Sequence, residues 1–153
     1  MLGLKPHNLT EAKSRNMEML EFLIGTWKTK GKVRPDGTDP GTIFTGTDTY
    51  EWILDRSFIL HKVDVTIGKE NIAAFEIIGG LDVKSKMYKM RSYDNSGGFT
   101  EMDAHFDMKG ILHLVGSNMR SQLERKNQNL LIAHWERLVN EEWVPWMDLQ
   151  LSR

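Results

Sequence analysis

Lys28, Lys30 and Lys32 alternate with Trp27, Thr29, Gly31 and Val33, a period of two that predicts a half-buried β-strand with a tryptophan at its base. Upstream the period lengthens. Asn8 is placed to cap a helix whose Glu11 reaches back to it, and Leu9, Ala12, Asn16, Met19, Leu20 and Leu23 then share one face, so an amphipathic helix is expected over about residues 9–23. Gly25-Thr26-Trp27 takes the chain from helix to strand at once.

The turn chemistry of Arg34-Pro35-Asp36-Gly37-Thr38-Asp39-Pro40-Gly41 ends that strand. A second is expected from Ile43 to Leu54, with Gly46 as a candidate bulge, and a third from Phe58 to Ile67, where Ile59, His61, Val63, Val65 and Ile67 share a face. Asp55-Arg56 between them makes a hairpin. Further strands are expected at Ile72 to Ile78, Lys86 to Tyr93, Phe99 to Phe106, Ile111 to Ser117, Met119 to Glu124, Leu130 to Val139 and Trp143 to Leu151. Gly, Asn, Asp and Ser separate them, as in Asp94-Asn95-Ser96-Gly97-Gly98 and Lys109-Gly110. About nine or ten strands at spacings near ten residues, after one helix, predict an all-β fold: an up-and-down antiparallel barrel in preference to a sandwich. Closing such a meander removes its exposed edges.

The chain has 153 residues, 40% hydrophobic and 27% charged, which fits a single domain over 1–153 with a real core. Its formal net charge of −1 offers no general pull toward nucleic acid or an anionic membrane. The absence of cysteine removes disulfides, zinc-thiolate sites and thiol nucleophiles together, and a cytoplasmic location is expected. No segment has the length of a signal-peptide core or of an apolar span of about 18 residues.

Leu23-Ile24-Gly25-Thr26-Trp27, Asp48-Thr49-Tyr50-Glu51-Trp52-Ile53-Leu54-Asp55 and Met90-Arg91-Ser92-Tyr93-Asp94-Asn95 carry a resemblance to the calycin superfamily. Over nearly its full length the chain resembles a family of bacterial lipocalin-like proteins that has no assigned activity. The resemblance implies a cup-shaped barrel that binds small, mostly apolar molecules. It also implies that Trp27 plugs the closed end under an arginine, with Arg137 and Arg153 as the two candidates for that cover. Leu149-Gln150-Leu151-Ser152-Arg153 lacks the arginine-x-tyrosine pair with which fatty-acid carriers hold a carboxylate.

Histidine is the side chain here best suited to haem or a transition metal at neutral pH. His61, His105, His113 and His134 fall in expected strands and His7 in the leader. Nitrobindin-like relatives ligate haem iron through a histidine late in the barrel, which makes His134 the candidate for that role. On the strand ending at Tyr93, Met87, Lys89, Arg91 and Tyr93 share one side and Tyr88, Met90 and Ser92 the other. If Arg91 and Tyr93 point inward with His61 and His113, they orient a ligand in an apolar pocket; otherwise Tyr88 and Met90 line it. No serine sits on a strand-to-helix elbow, and no glycine-rich phosphate loop precedes a helix. Glu51, Glu76, Glu101 and Asp103 supply an acid or base only where buried.

The expected function is binding of a small apolar or amphipathic molecule in a barrel cavity without turnover and without a cofactor. Two alternatives stay open: a haem- or gas-binding barrel, and a small isomerase or hydrolase using cavity His, Tyr and acid groups. A barrel filled by its own side chains, dimerising through an exposed strand face, is a third.

Overall fold

A computed structural model describes residues 17–35 and 41–153. Most of the helix expected over about residues 9–23 therefore lies outside the described residues, as do His7 and the turn from Asp36 to Pro40. What is described is its end: Met17 and Leu20 are buried, and a 3₁₀ turn over Glu21–Leu23 follows.

The described residues form ten strands: β1 (Gly25–Val33), β2 (Ile43–Ile53), β3 (Phe58–Ile67), β4 (Glu70–Leu81), β5 (Tyr88–Asp94), β6 (Phe99–Phe106), β7 (Leu112–Val115), β8 (Met119–Asn127), β9 (Leu130–Val139) and β10 (Glu142–Ser152). Each pairs antiparallel with its neighbour in sequence, and β10 returns to pair with β1, so the sheet closes into an up-and-down barrel. Closure leaves no edge strand open to another chain. The turns follow local chemistry. Asp94 takes the amide hydrogens of Ser96 and Gly98, Asp107 takes those of Lys109 and Ile111, and Asn140 and Glu141 both adopt positive φ in the tight β9–β10 hairpin.

Alternation decides which side chains enter the barrel. Lys28, Lys30 and Lys32 face out while Trp27, Thr29 and Gly31 are buried within. Gly46 is not a bulge: it stays in register between Thr29 and Val65. A Cβ there would meet the Asp64 carbonyl oxygen at 2.0 Å, so the residue is glycine because β3 backbone passes directly over it. The register shifts occur elsewhere, between Gly79 and Leu81, Arg125 and Asn127, and Pro145 and Met147.

The core gathers at one end. Trp27, fully buried, donates from its indole nitrogen to the Leu23 carbonyl at 2.7 Å and so ties the 3₁₀ turn to the barrel floor. Leu20 and Leu23 pack against it with Ile59, Ile78, Met90, Met102, Leu131 and Leu151. The Arg153 guanidinium lies 4.0 Å over the Trp27 ring from below. Arg137, the other candidate for that position, instead lies 6.0 Å from the Trp146 ring. Among the described residues no helix is long and apolar enough to cross a membrane.

Candidate functional site

Strand register brings two ionisable side chains from β2 and one each from β3 and β4 to the inner wall beside the Trp27 plug. Asp48 on β2 is Trp27's cross-strand neighbour, Tyr50 pairs with His61 on β3, and His61 pairs with Glu76 on β4. His61 Nε2 lies 2.6 Å from Asp48 Oδ1, and its Nδ1 lies 3.1 Å from Glu76 Oε1. A carboxylate only accepts hydrogen bonds, so satisfying both contacts requires both ring nitrogens to carry protons. Burial pulls the imidazole pKa down, and the hydrogen bonds and charges of Asp48 and Glu76 more than reverse this, raising it from 6.5 to about 9. The ring is thus an imidazolium at neutral pH.

Two more groups extend the line. Thr29 donates its hydroxyl to Asp48 Oδ2, which uses the second oxygen of that carboxylate. Tyr50 stacks on His61 with ring centroids 3.9 Å apart and planes 8° from parallel. Burial first, then the nearby Asp48 and Glu76 charges, hold the Tyr50 hydroxyl well above its usual pKa, so it stays a neutral donor. Asp48 and Glu76 are each 7% exposed and Tyr50 8%, which places this polar assembly inside the wall.

Accessibility changes along three successive inward rows. Nearest the plug, Ile59, Ile78, Met90 and Met102 are all buried. The next row runs from Tyr50 through His61, Glu76 and Ser92 to Thr100, where His61, Ser92 and Thr100 are half-buried. One register step along, in the row that also holds Trp27 and Asp48, Val63 and Ala74 face inward and are half-buried, as are Ile67 and Ile72 beyond them, whereas Phe44 and Val65 on the same side are buried. The polar row thus lies on the inner wall between the packed end of the barrel and an end at which several inward side chains are half-buried.

The other sequence-predicted site residues divide between the two faces. Tyr88 and Met90 point inward and are buried. Arg91 and Tyr93 point outward: Arg91 pairs with Glu101 at 3.2 Å, and Tyr93 lies between Phe75 and Phe99 on the outer wall. His113 also faces out, stacked on His105 and 2.8 Å from Asp107, which its hydrogen bond holds below the usual carboxylate range. Period-two alternation excludes these three from the lumen, because Ser92 and Leu114, their neighbours in sequence, face in. His134 is on the outer wall too, its side chain 60% exposed and 2.6 Å from Asp148, so it cannot ligate a group held in the lumen. His61 is the inward imidazole, and both its nitrogens face carboxylates. Among the described residues, then, no histidine presents a lone pair to the lumen, and these residues do not fit an imidazole-ligated haem there.

Asp48, Tyr50, Thr29 and Glu76 are the functional residues that sequence reasoning did not assemble. The signal was a lone polar residue in an apolar inward series: Asp48 between Phe44 and Trp52, His61 between Ile59 and Val63, Glu76 between Ala74 and Ile78.

No family model matches the chain, and neither does any curated protein. Among solved structures, the chain is similar to the S-type phycobiliprotein lyase CPES from Guillardia theta, with a TM-score of 0.58 at 7% identity, covering 94% of this chain and 96% of that one. It is also similar to EF1p2_mFAP2b bound to DFHBI, with a TM-score of 0.51 at 9% identity, covering 90% of this chain and 98% of that one. At such identities the likeness is one of fold.

Proposed function

We propose that this protein binds a small apolar or amphipathic molecule in the lumen above the Asp48–His61–Glu76 row, as a lipocalin-like carrier or sensor. The observation that carries this reading is a closed wall whose inward residues are buried below the polar row and, apart from Phe44 and Val65, half-buried above it. Val63, Val65, Ile67, Ile72 and Ala74 supply apolar surface, and burial against it contributes roughly 25 cal/mol per Å² before ordering costs. The polar row below sets orientation, as a few convergent polar groups do in an otherwise apolar pocket. His61 holds a proton on each nitrogen, so its role is to fix the two carboxylates in place.

The test is titration with a neutral solvatochromic dye such as Nile red, with native mass spectrometry of gently purified protein to detect a retained molecule. The wild type is expected to give a saturable blue shift at one site per chain. Ala74→Trp and Val63→Trp, which fill the lumen above Glu76, are expected to lose it while keeping their β circular dichroism. Equal dye binding by the wild type and by both folded variants would place the dye elsewhere and refute a lumen site.

A further inference from the structure

We propose that the molecule taken by this lumen is an organic cation, an apolar body bearing a protonated amine whose charge sits against Glu76 and whose N–H reaches the Tyr50 hydroxyl oxygen. The inference rests on the lumen-binding reading above and adds the chemical class of the ligand.

The charge balance at the lumen floor is the first support. Asp48 and Glu76 face one imidazolium, which leaves one formal negative charge uncompensated within the assembly. Among the described residues, the one other charged residue at an inward position of β1 to β4 is Glu70, exposed at the far end of β4 and also acidic. Asp94, at the outer end of β5, is exposed and engaged by its own turn. Cations at inward positions lie elsewhere: Arg153 under Trp27, Arg125 beside Phe22 at the plug end of β8, and Arg137 beside Trp146 on the far wall. A carboxylate ligand would meet a like charge at the floor, and a neutral one would leave that charge unanswered.

Hydrogen-bonding capacity is the second support, and it is independent of charge. Asp48 spends one oxygen on His61 and the other on Thr29, but Glu76 spends only Oε1, and its Oε2 makes no hydrogen bond with the described residues. The Tyr50 hydroxyl, on a side chain nine-tenths buried against His61, makes none either. Ser121, 4% exposed and inward-facing on β8, holds a buried hydroxyl oxygen that makes no hydrogen bond with the described residues. Glu76 Oε2 and the Tyr50 and Ser121 hydroxyl oxygens, all on inward-facing positions, keep capacity to accept a hydrogen bond, and an ammonium offers three donors with its charge.

The experiment uses the full chain and three chain-length-matched probes, decylammonium, decanol and decanoate, in calorimetric titrations at neutral pH below their aggregation limits. Decylammonium is expected to bind about tenfold more tightly than decanol and to exceed decanoate by a wider margin, as a charge-assisted contact requires. In Glu76→Gln, which keeps an acceptor for His61, the preference for the ammonium is expected to collapse to near unity. Tyr50→Phe, which removes only the hydroxyl, is expected to weaken the ammonium several-fold and leave decanol unchanged. Decanol or decanoate binding as tightly as the ammonium, or a preference that survives Glu76→Gln, would overturn the cation assignment and leave the carrier reading standing. Should none of the three probes bind the wild type, the carrier reading itself falls, and this inference with it.

Discussion

His61 decides the chemistry of the barrel floor because its two ring nitrogens are held between two carboxylate acceptors, Asp48 and Glu76. Removing it would leave Asp48 and Glu76 as buried carboxylates facing each other, so the ring is a structural necessity as well as a charge. Its proton is linked to folding. The folded value of about 9 lies above the ordinary 6.5, so the stabilisation is fully present below about pH 6.5 and is lost as pH rises toward and through about 9. Unfolding in urea is therefore expected to show a fall in stability across that window on the order of 2–3 kcal/mol. The double variant Asp48→Asn, Glu76→Gln is expected to flatten the profile, since its His61 has no charge to gain by holding a proton. A wild-type profile already flat between those two pH values would mean that the ring is not held as an imidazolium.

At the scale of elements, two glycines show how the wall is shaped, and they differ in what a methyl group would strike. At Gly31 an added Cβ would meet the ring of Phe44 at 2.2 Å, the end of a side chain that can turn; at Gly46 it would meet the Asp64 carbonyl at 2.0 Å, which is backbone. Gly31→Ala is expected to cost about 1 kcal/mol and Gly46→Ala about 3 kcal/mol or more, measured by chemical denaturation. The reverse order would show that β3 yields more readily than Phe44. The same strands show how much of the wall is legible in the sequence. Alternation and turn residues place every strand to within a few positions, because both are local: Lys28, Lys30 and Lys32 must face water, and Asp94-Asn95-Ser96-Gly97-Gly98 must turn. Gly46 was misread because a close backbone approach leaves no local mark distinct from a bulge. Tyr88 and Met90 versus Arg91 and Tyr93 stayed open because each face of β5 mixes polar and apolar groups, and only pairing with β4 and β6 settles which side is in. The Asp48–His61–Glu76 row was hidden for a related reason. Each member is visible as an odd residue in its own strand, but their meeting depends on two hairpin registers at once.

For the molecule as a whole, closure depends on one seam between segments far apart in sequence, β1 and β10. That seam pairs Lys28 with Ser152 through to Val33 with Met147, and it forms only after the chain ends have been brought together, at a cost in loop entropy that grows with the logarithm of the separation. Arg153 secures it from below. Its guanidinium covers Trp27, its Nε donates to the Gln128 carbonyl at 3.0 Å and its Nη1 donates to the Ile24 carbonyl, so one side chain links β10 to the turn before β9, to the entry of β1 and to the plug. Loss of a cation–π contact of about 1–2 kcal/mol and of two charged donors predicts that Arg153→Ala is destabilised by roughly 2–4 kcal/mol. The loss has a location as well as a size. In a closed barrel the mid-strand amides of β1 and β10 exchange with solvent only when the whole sheet unfolds, as slowly as those of β3 and β4. Arg153→Ala is expected to let β1 and β10 exchange faster than β3 and β4 by opening the seam alone, read by hydrogen exchange and mass spectrometry on matched peptides. Uniform acceleration across all four strands would mean that the plug holds the molecule together globally; faster exchange of β1 and β10 already in the wild type would mean that the wall stands open.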